Sequence, residues 1–365
     1  MRLNSLKLKD FRNYKTFDRK FSKQAVILVG GNTVGKTNLL EAIRFLSLFK
    51  SFRTNLTRDM IAWENTVARV EGEFTESKVD KKIVGILAGG VQGVPVRRQI
   101  MVNNNKVSTR KAVGNFLTVL FSPDDVQLIT GSPSRRRRYL DTVLGQLSRR
   151  YYQSLQNYNR ALEQRNAILA SEQFPSEELS IWNDQLAEEG GYLIKERSIF
   201  FEKINNPLTL TYKQISGQGN LRIHYQPCLS QPGVEQLLSA RDVESILKKS
   251  LKKTEPYDFR YQSTSVGPHR DDFDFILDNR SLESHGSRGE WRSSVLALKI
   301  GEQNYIKEVT KKLPILLLDD VFSELDQSRR QALLRQIDGH QVFITTTEIR
   351  SLNRDFLRQA EIIKL

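Results

Sequence analysis

The chain offers little that could be oxidised or metallated. Its 365 residues include one cysteine, Cys228. A single thiol closes no internal disulfide and builds no cysteine cluster around a metal, so a reducing, cytosolic setting is the default. Placed just after Pro227, Cys228 reads as loop filler rather than as a nucleophile. His224, His285 and His340 show no metal-ligand spacing with one another. His269 has no identifiable partner for acid–base work, which leaves it a structural role. No run of about 18 apolar residues occurs, so no membrane-spanning helix is expected. The opening stretch MRLNSLKLKDFRNY lacks the apolar core of a secretory signal and reads as a first strand. Internal repeats, low-complexity tracts, zinc-finger spacings and recognition-helix signatures are missing too.

Hydrophobic residues make up 39% of the chain and charged residues 27%, the balance of an ordinary soluble fold rather than a disordered one. With 56 basic and 42 acidic residues the net charge is +14. Such an excess fits a polyanionic partner, nucleic acid above all, although a generally basic protein without one would carry the same number.

QAVILVG (24–30) is a short apolar run suited to a buried strand, and Leu39, Ile43 and Leu46 then recur at helical spacing. Between residues 66 and 108, short strand-like runs alternate with Gly and Asn turns, which predicts an antiparallel sheet beside a parallel one. From Ser134 helices take over. Tyr151, Leu155, Tyr158, Leu162 and Leu169 form a stripe that Arg165 interrupts, too short for a free coiled coil. The stretch from 204 to 227 reads as strands around a Gly-rich turn. RDVESILKKSLKKTEPYDF reads as a basic amphipathic helix stopped near Pro256. LPILLLDDV and HQVFITTT return to short apolar strands, with the helix QSRRQALLRQI between them. An α/β nucleotide domain is therefore split, and a helical lobe fills the middle.

The motif G-x-x-x-x-G-K-T runs from Gly30 to Thr37, after a strand and before an apolar helix. In such a loop backbone N–H groups surround a β-phosphate, Lys36 reaches the β and γ phosphates, and the Thr37 hydroxyl completes a Mg²⁺ shell. ILLLDDVFSELD (315–326) is its partner, a buried strand ending in two carboxylates. Asp319 is placed to hold Mg²⁺ through water, and Asp320 to polarise the attacking water. Lys36 and Asp319 lie 283 positions apart (319 − 36), which points to an ATPase with a large inserted lobe. A third piece, SRGEWRSSVLALKI (287–300), holds Ser287, Gly289 and Arg292 at the start of an apolar helix. Alone it is a plain helix N-terminus. Beside SELD it reads as a second anion site for the γ-phosphate held by another copy, with Ser323 and Asp326 at the same interface.

Together these stretches make the chain similar to the ATP-binding-cassette heads of the structural-maintenance-of-chromosomes group. The resemblance runs the whole length. It rests on DFRNY (10–14), GKTNLLEAI (35–43), SFR (51–53), SPDDVQLITGSPSRRRRYLD (122–141), TSVGPHRDDF (264–273) and the two motifs just described. The long coiled coil of the larger members is missing. The resemblance implies an α/β fold, an ABC-type P-loop ATPase head with a mixed sheet and antiparallel subsheet plus a largely helical second lobe. The lobes divide as 1–120, 121–300 and 301–365. It implies ATP and Mg²⁺ as cofactors, and Lys36, Asp319 and Asp320 as catalytic residues. Gly30, Asn32, Gly35, Lys36, Thr37 and Asn38 would hold the nucleotide. Ser287, Gly289, Arg292, Ser323 and Asp326 would cap it, and Thr37 and Asp319 would take the metal. It further implies an ATP-sandwiched homodimer on gapped or junction DNA, slow hydrolysis that opens the clamp, and cooperation with RecR and RecO in recombination repair.

Three departures stand out. The group usually has glycine where Thr33 stands. Glutamine-like residues usually precede Arg292, where this chain has Glu290 and Trp291. The last strand ends in TTTE rather than a switch histidine, so that role falls to Thr346, Thr347 or Glu348, or is absent.

Arg135, Arg136, Arg137 and Arg138 form the densest basic cluster, and only part of such a run can share a helix face. DNA contact and pairing with Asp124, Asp125 or Asp141 are both open. Lys248, Lys249, Lys252 and Lys253 could track a backbone or simply face solvent. DNA binding would be driven by shape and salt rather than sequence. Two other functions compete. A transporter ATPase subunit predicts an L-S-G-G-Q signature and a switch histidine, both missing. A non-hydrolysing ATP-binding scaffold is opposed by Asp319 and Asp320. HRDD lacks the further ligands of a two-metal nuclease.

Overall fold

The computed structural model describes residues 1–90, 95–171, 176–229, 239–349 and 354–365. It divides into two compact units, Met1–Asp125 with Glu302–Leu365, and Val126–Gly301.

The first unit holds two sheets. Five parallel strands lie in the order Glu361–Lys364, Ala25–Val29, Val342–Thr346, Ile315–Asp319, Thr118–Phe121. Ile315–Asp319 and Val342–Thr346 are buried at every position, which is why they read as unbroken apolar runs rather than alternating ones. The second sheet is antiparallel, ordered Tyr14–Lys20, Arg2–Phe11, Val67–Glu76, Val79–Ala88, Arg97–Val102, Asn105–Val107. Two-residue turns close two of its hairpins, Ser77–Lys78 and Asn103–Asn104, all four residues at positive φ as the strand twist demands. Helix Lys36–Leu48 packs against both sheets, and its apolar residues are buried nearly all round. The approach is close. A Cβ on Gly85 would sit 2.3 Å from the Phe45 ring, so only glycine lets the helix seat there.

The second unit is mainly helical, built on Pro133–Leu147, Arg149–Leu169, Ser176–Ser216 and Ala240–Tyr261. Leu221–Gln226, Asp272–Leu277 and Arg280–Ser281 form a small antiparallel sheet with alternating burial. Three sequence expectations change here. The stretch from 204 to 216 is helix, not strand. Ile204, Leu208, Tyr212 and Ile215 are buried at spacings of four, four and three, and this packing outweighs Pro207 and the threonines. Helix Ala240–Tyr261 runs through Pro256 instead of stopping there. In Arg149–Leu169 the buried face is Tyr151, Ser154, Tyr158, Ala161, Arg165 and Leu169, while Leu155 and Leu162 are only half-buried. Arg165 does not interrupt that face but belongs to it. Its guanidinium is neutralised by Asp258 at 2.9 Å and hydrogen-bonded to Asn183 and Thr264.

Candidate nucleotide site

The loop between strand Ala25–Val29 and helix Lys36–Leu48 is held from behind by DFRNY. Asn13 Nδ2 donates to the Val34 carbonyl at 3.1 Å, and Tyr14 Oη to the Gly35 carbonyl at 3.1 Å. Burial raises the Tyr14 phenol to about 12, so it remains a donor. Gly35 has φ +111°, and a Cβ there would lie 2.6 Å from the Asn13 amide. Lys36 Nζ folds over the loop and donates to the carbonyls of Gly30 (2.8 Å) and Gly31 (2.7 Å). Asn32 is exposed on the loop. Thr33 adopts φ 71°, a left-handed conformation that a β-branched residue rarely takes. The position makes the backbone demand of glycine without having it.

The parallel register brings the two motifs together. Val342–Thr346 lies between the strand that feeds the loop and the strand that carries the acids, with Asp319 opposite Thr345. Thr37 Oγ1 donates to Asp319 Oδ1 at 2.9 Å, and Thr345 Oγ1 to the same oxygen at 2.8 Å. Burial raises the Asp319 pKa against the pull of those two hydroxyls, and the neighbouring Asp320 charge adds to the rise. Asp320 has φ 52°, its N–H donates to Thr345 Oγ1 at 2.8 Å, and its Oδ1 is buried with no partner among the described residues. A hydroxyl and a carboxylate 2.9 Å apart, a second carboxylate with an orphaned oxygen, and a lysine resting on loop carbonyls are a set that fits Mg²⁺ and a phosphate chain. Thr345 is the threonine that touches the acids. Thr346 instead closes on Glu348, its hydroxyl donating to the Glu348 carbonyl at 2.9 Å, and Thr347 and Glu348 are exposed.

Sequence reasoning gave DFRNY and SFR no task beyond resemblance. Both converge on Glu41, whose carboxylate is fully buried in the helix. Arg12 grips it bidentately (2.7 and 2.8 Å), Ser51 donates to it, and Arg53 lies 3.9 Å away. Asn38 joins this support, donating to Asn13 at 2.8 Å and accepting from Arg53 at 2.6 Å. Its amide is thus committed behind the loop. A buried glutamate one helical turn past G-K-T was the signal in the sequence.

Ser287 and Glu290 form a reciprocal capping box at the start of helix Arg288–Thr310. Ser287 N donates to the Glu290 carboxylate at 2.7 Å, and Glu290 N to Ser287 Oγ at 3.3 Å. Glu290 therefore caps the helix where its dipole favours an anion. Trp291 Nε1 donates to the Leu282 carbonyl at 2.6 Å, and the Ser293 hydroxyl to Gly289 O at 2.9 Å. Arg292 is half-buried. Ser323 Oγ donates to the Asp320 carbonyl at 2.6 Å, and Asp326 caps helix Gln327–Gln336 by accepting from Arg329 N at 2.9 Å.

The arginine run divides. Arg136 is buried and bidentate on Asp272 (2.5 and 2.8 Å), a different partner from the acids expected. It is withdrawn from any accessible phosphate-binding face. Arg137 is half-buried and donates to the Asp271 carbonyl at 2.9 Å, while Arg135 and Arg138 are exposed. Asp141 pairs instead with Arg197 at 2.8 Å. Lys248 pairs with Asp184 at 2.5 Å, and Lys249, Lys252 and Lys253 are exposed. His269 bonds Tyr158 Oη at 2.7 Å and the Thr264 carbonyl at 2.9 Å, and burial lowers it to about 4.

A P-loop and paired acids on a parallel sheet, with a helical unit inserted between them in sequence, define an ATPase head of the ABC type. The family model described as RecF/RecN/SMC N terminal domain matches residues 2–362. The "DNA replication and repair protein RecF" of Clostridium acetobutylicum is 36% identical over 356 residues, 97% of this chain and 95% of the relative. That of Oenococcus oeni is 36% identical over 100% of this chain and 98% of its own length. The solved recombination mediator protein RecF-ATPrS in the RecFOR pathway superposes with a TM-score of 0.89 at 34% identity, covering 100% of this chain and 95% of that one. A Pyrococcus furiosus Smc head, at 16% identity and a TM-score of 0.53, shares the fold, covering 100% of this chain and 93% of that one. The chain belongs to the RecF family of DNA replication and repair proteins, ATPase heads of the SMC kind.

Proposed function

We propose that this protein is an ATP-dependent DNA-binding protein of recombination repair and replication restart, which closes as a homodimer around two ATP molecules on gapped or junction DNA. The observation that carries the reading is the Thr37–Asp319 hydrogen bond, beside an Asp320 oxygen that no described residue satisfies. Thr37 and Asp319 would hold Mg²⁺, which would supply positive charge to offset that of the phosphate chain. Lys36 would leave the loop carbonyls for the β and γ phosphates. Asp320 would accept a proton from the attacking water. This role is missing from a non-hydrolysing scaffold, and family membership sets the transporter subunit aside. Ser287, Gly289 and Arg292 would cap the γ-phosphate of the second copy, with Ser323 and Asp326 at the same interface.

Hydrolysis is slow in this reading and serves to release the clamp. The net charge of +14 supports DNA as the partner. The solved relative's place in the RecFOR pathway supports RecR and RecO as further partners in the cytoplasm, and aid to recombinase loading as the purpose. The test is the mass in solution of the Asp320→Asn protein, with and without ATP and Mg²⁺. A dimer that needs ATP and persists on gapped DNA is expected. A monomer under every condition would overturn the clamp.

A further inference from the structure

Helix Ala240–Tyr261 carries a surface that the nucleotide site leaves unused. From residue 249 onward its exposed positions are 249, 252, 253, 256, 257, 260 and 261. They hold Lys249, Lys252, Lys253, Tyr257, Arg260 and Tyr261, with Pro256 among them, and no carboxylate. Asp258 is turned inward and fully buried, and Glu255 is half-buried and accepts from Asn183 at 3.0 Å. Tyr257 and Tyr261 are 55% and 56% exposed, yet their ring centroids lie 4.4 Å apart. The Arg260 guanidinium stands 5.8 Å from the Tyr261 centroid. Lys249, Lys253, Tyr257 and Tyr261 follow one i, i+4 ridge, about 18 Å long at the helical rise.

Cations beside exposed aromatic faces, with Asp184 of the neighbouring helix taken up by Lys248 at the N-terminal edge of the ridge, are the chemistry of single-strand recognition. The cations track phosphates, and the rings stack on any base. We infer that this helix face binds single-stranded DNA, with Tyr257 and Tyr261 stacking on bases and Lys249, Lys252, Lys253 and Arg260 neutralising the backbone. The inference rests on the DNA-binding reading above and assigns the single-stranded side of a gap to this unit. The ridge accommodates about five nucleotides at stacked spacing.

The buried Arg165–Asp258 pair makes the surface possible. Asp258 also accepts from Ser265 N (3.0 Å) and Thr254 Oγ1 (3.1 Å), which ties the end of the helix that carries both rings to the segment after it.

The test compares a labelled 15-nucleotide oligothymidylate with a duplex of the same length, by fluorescence anisotropy across a salt series. The Tyr257→Ala/Tyr261→Ala protein should bind the single strand at least about tenfold more weakly, with the duplex within about twofold of the parent. Phenylalanine at both positions should restore binding. Lys249→Gln/Lys253→Gln should lower the slope of log K against log salt by about 1.4, two charges at about 0.7 each, while the tyrosine variants leave it unchanged. An alanine pair that binds the single strand as the parent does would overturn the inference, and so would equal loss of both substrates. A parent that binds duplex or gapped DNA but no single strand sinks this inference alone. A parent that binds no DNA sinks the proposed function with it.

Discussion

Two of the chain's Asp-Asp pairs, Asp271–Asp272 and Asp319–Asp320, have opposite fates. In the second unit, Asp271 is fully buried and accepts from Arg197 (2.8 Å), Tyr225 and the Cys228 N–H (2.8 Å). Asp272 is held by both prongs of Arg136. In the first unit, among the described residues, Asp319 accepts from the hydroxyls of Thr37 and Thr345, and Asp320 keeps an oxygen with no partner. Charge spent on arginine is structural. Charge left to weak or missing donors is available for a ligand. The same contrast separates the cations. Lys36 rests on loop carbonyls that a phosphate can replace, whereas Arg165 and Arg197 are sealed in ion pairs.

Removing one charge from each pair should break the molecule in different ways. Asp320→Asn is expected to slow ATP hydrolysis by about 10²–10⁴-fold, the usual worth of a general base. Its melting temperature should hold or rise, because the repulsion between the Asp319 and Asp320 charges is relieved. A hydrolysis rate within a few-fold of the parent would remove Asp320 from the chemistry. Asp271→Asn should do the reverse, costing about 3–5 kcal/mol of stability by leaving Arg197 short of a partner. ATP binding by the protein that remains folded should be unchanged. Denaturant unfolding checks the first figure, and a loss below about 1 kcal/mol would show that Asp141 suffices for Arg197.

The strands and motifs of the first unit were legible because both faces of the parallel sheet are covered, which writes ILLLD and AVILV as unbroken apolar runs. The loop and the two acids were legible for the same reason, since each follows such a strand. What the sequence hid was pairing at long range. Nothing local says that Arg165 meets Asp258, 93 positions away, or that Arg136 meets Asp272 rather than Asp141. Pro256 misled because proline is a local signal, and tertiary packing overrode it. The role of DFRNY was hidden likewise, since its arginine closes on a glutamate 29 positions on.

Burial lowers His340 in the first unit and His269 in the second, and the larger part of the histidine-linked pH response should come from His269. His269 falls to about 4 in the fold, below its ordinary 6.5, because burial penalises the cation. The unfolded chain therefore takes up a proton that the folded one refuses. Stability present above pH 6.5 drains as pH falls toward about 4, by roughly 3 kcal/mol for a shift of this size. His269→Gln, which cannot charge, should flatten that part of the curve of melting temperature against pH. A wild-type curve that is already flat between pH 6.5 and 4 would place the titration elsewhere.

The smallest expected effect is at Thr33, where the two glycine-like positions of the loop can be set against each other. Thr33 and Gly35 both sit at positive φ, at 71° and 111°, but only one of them is glycine. For an L-residue the left-handed region costs about 1–2 kcal/mol. Thr33→Gly should recover that strain and lose about 0.4–1 kcal/mol to the freer unfolded chain, for a net gain on the order of 0.5–1 kcal/mol. Nothing packs on Thr33 that would be missed, since it is exposed and its hydroxyl only reaches the Asn32 carbonyl at 2.5 Å. Gly35→Ala is the opposite case, because its Cβ would strike the Asn13 side chain that holds the loop. Melting curves and ATP titrations of both variants give the comparison. Thr33→Gly should be at least as stable as the parent and bind ATP no more weakly, while Gly35→Ala should lose binding. A Thr33→Gly protein that melts lower or binds ATP less would mean that the threonine's stiffness, and not glycine's freedom, is what holds this loop open for phosphate.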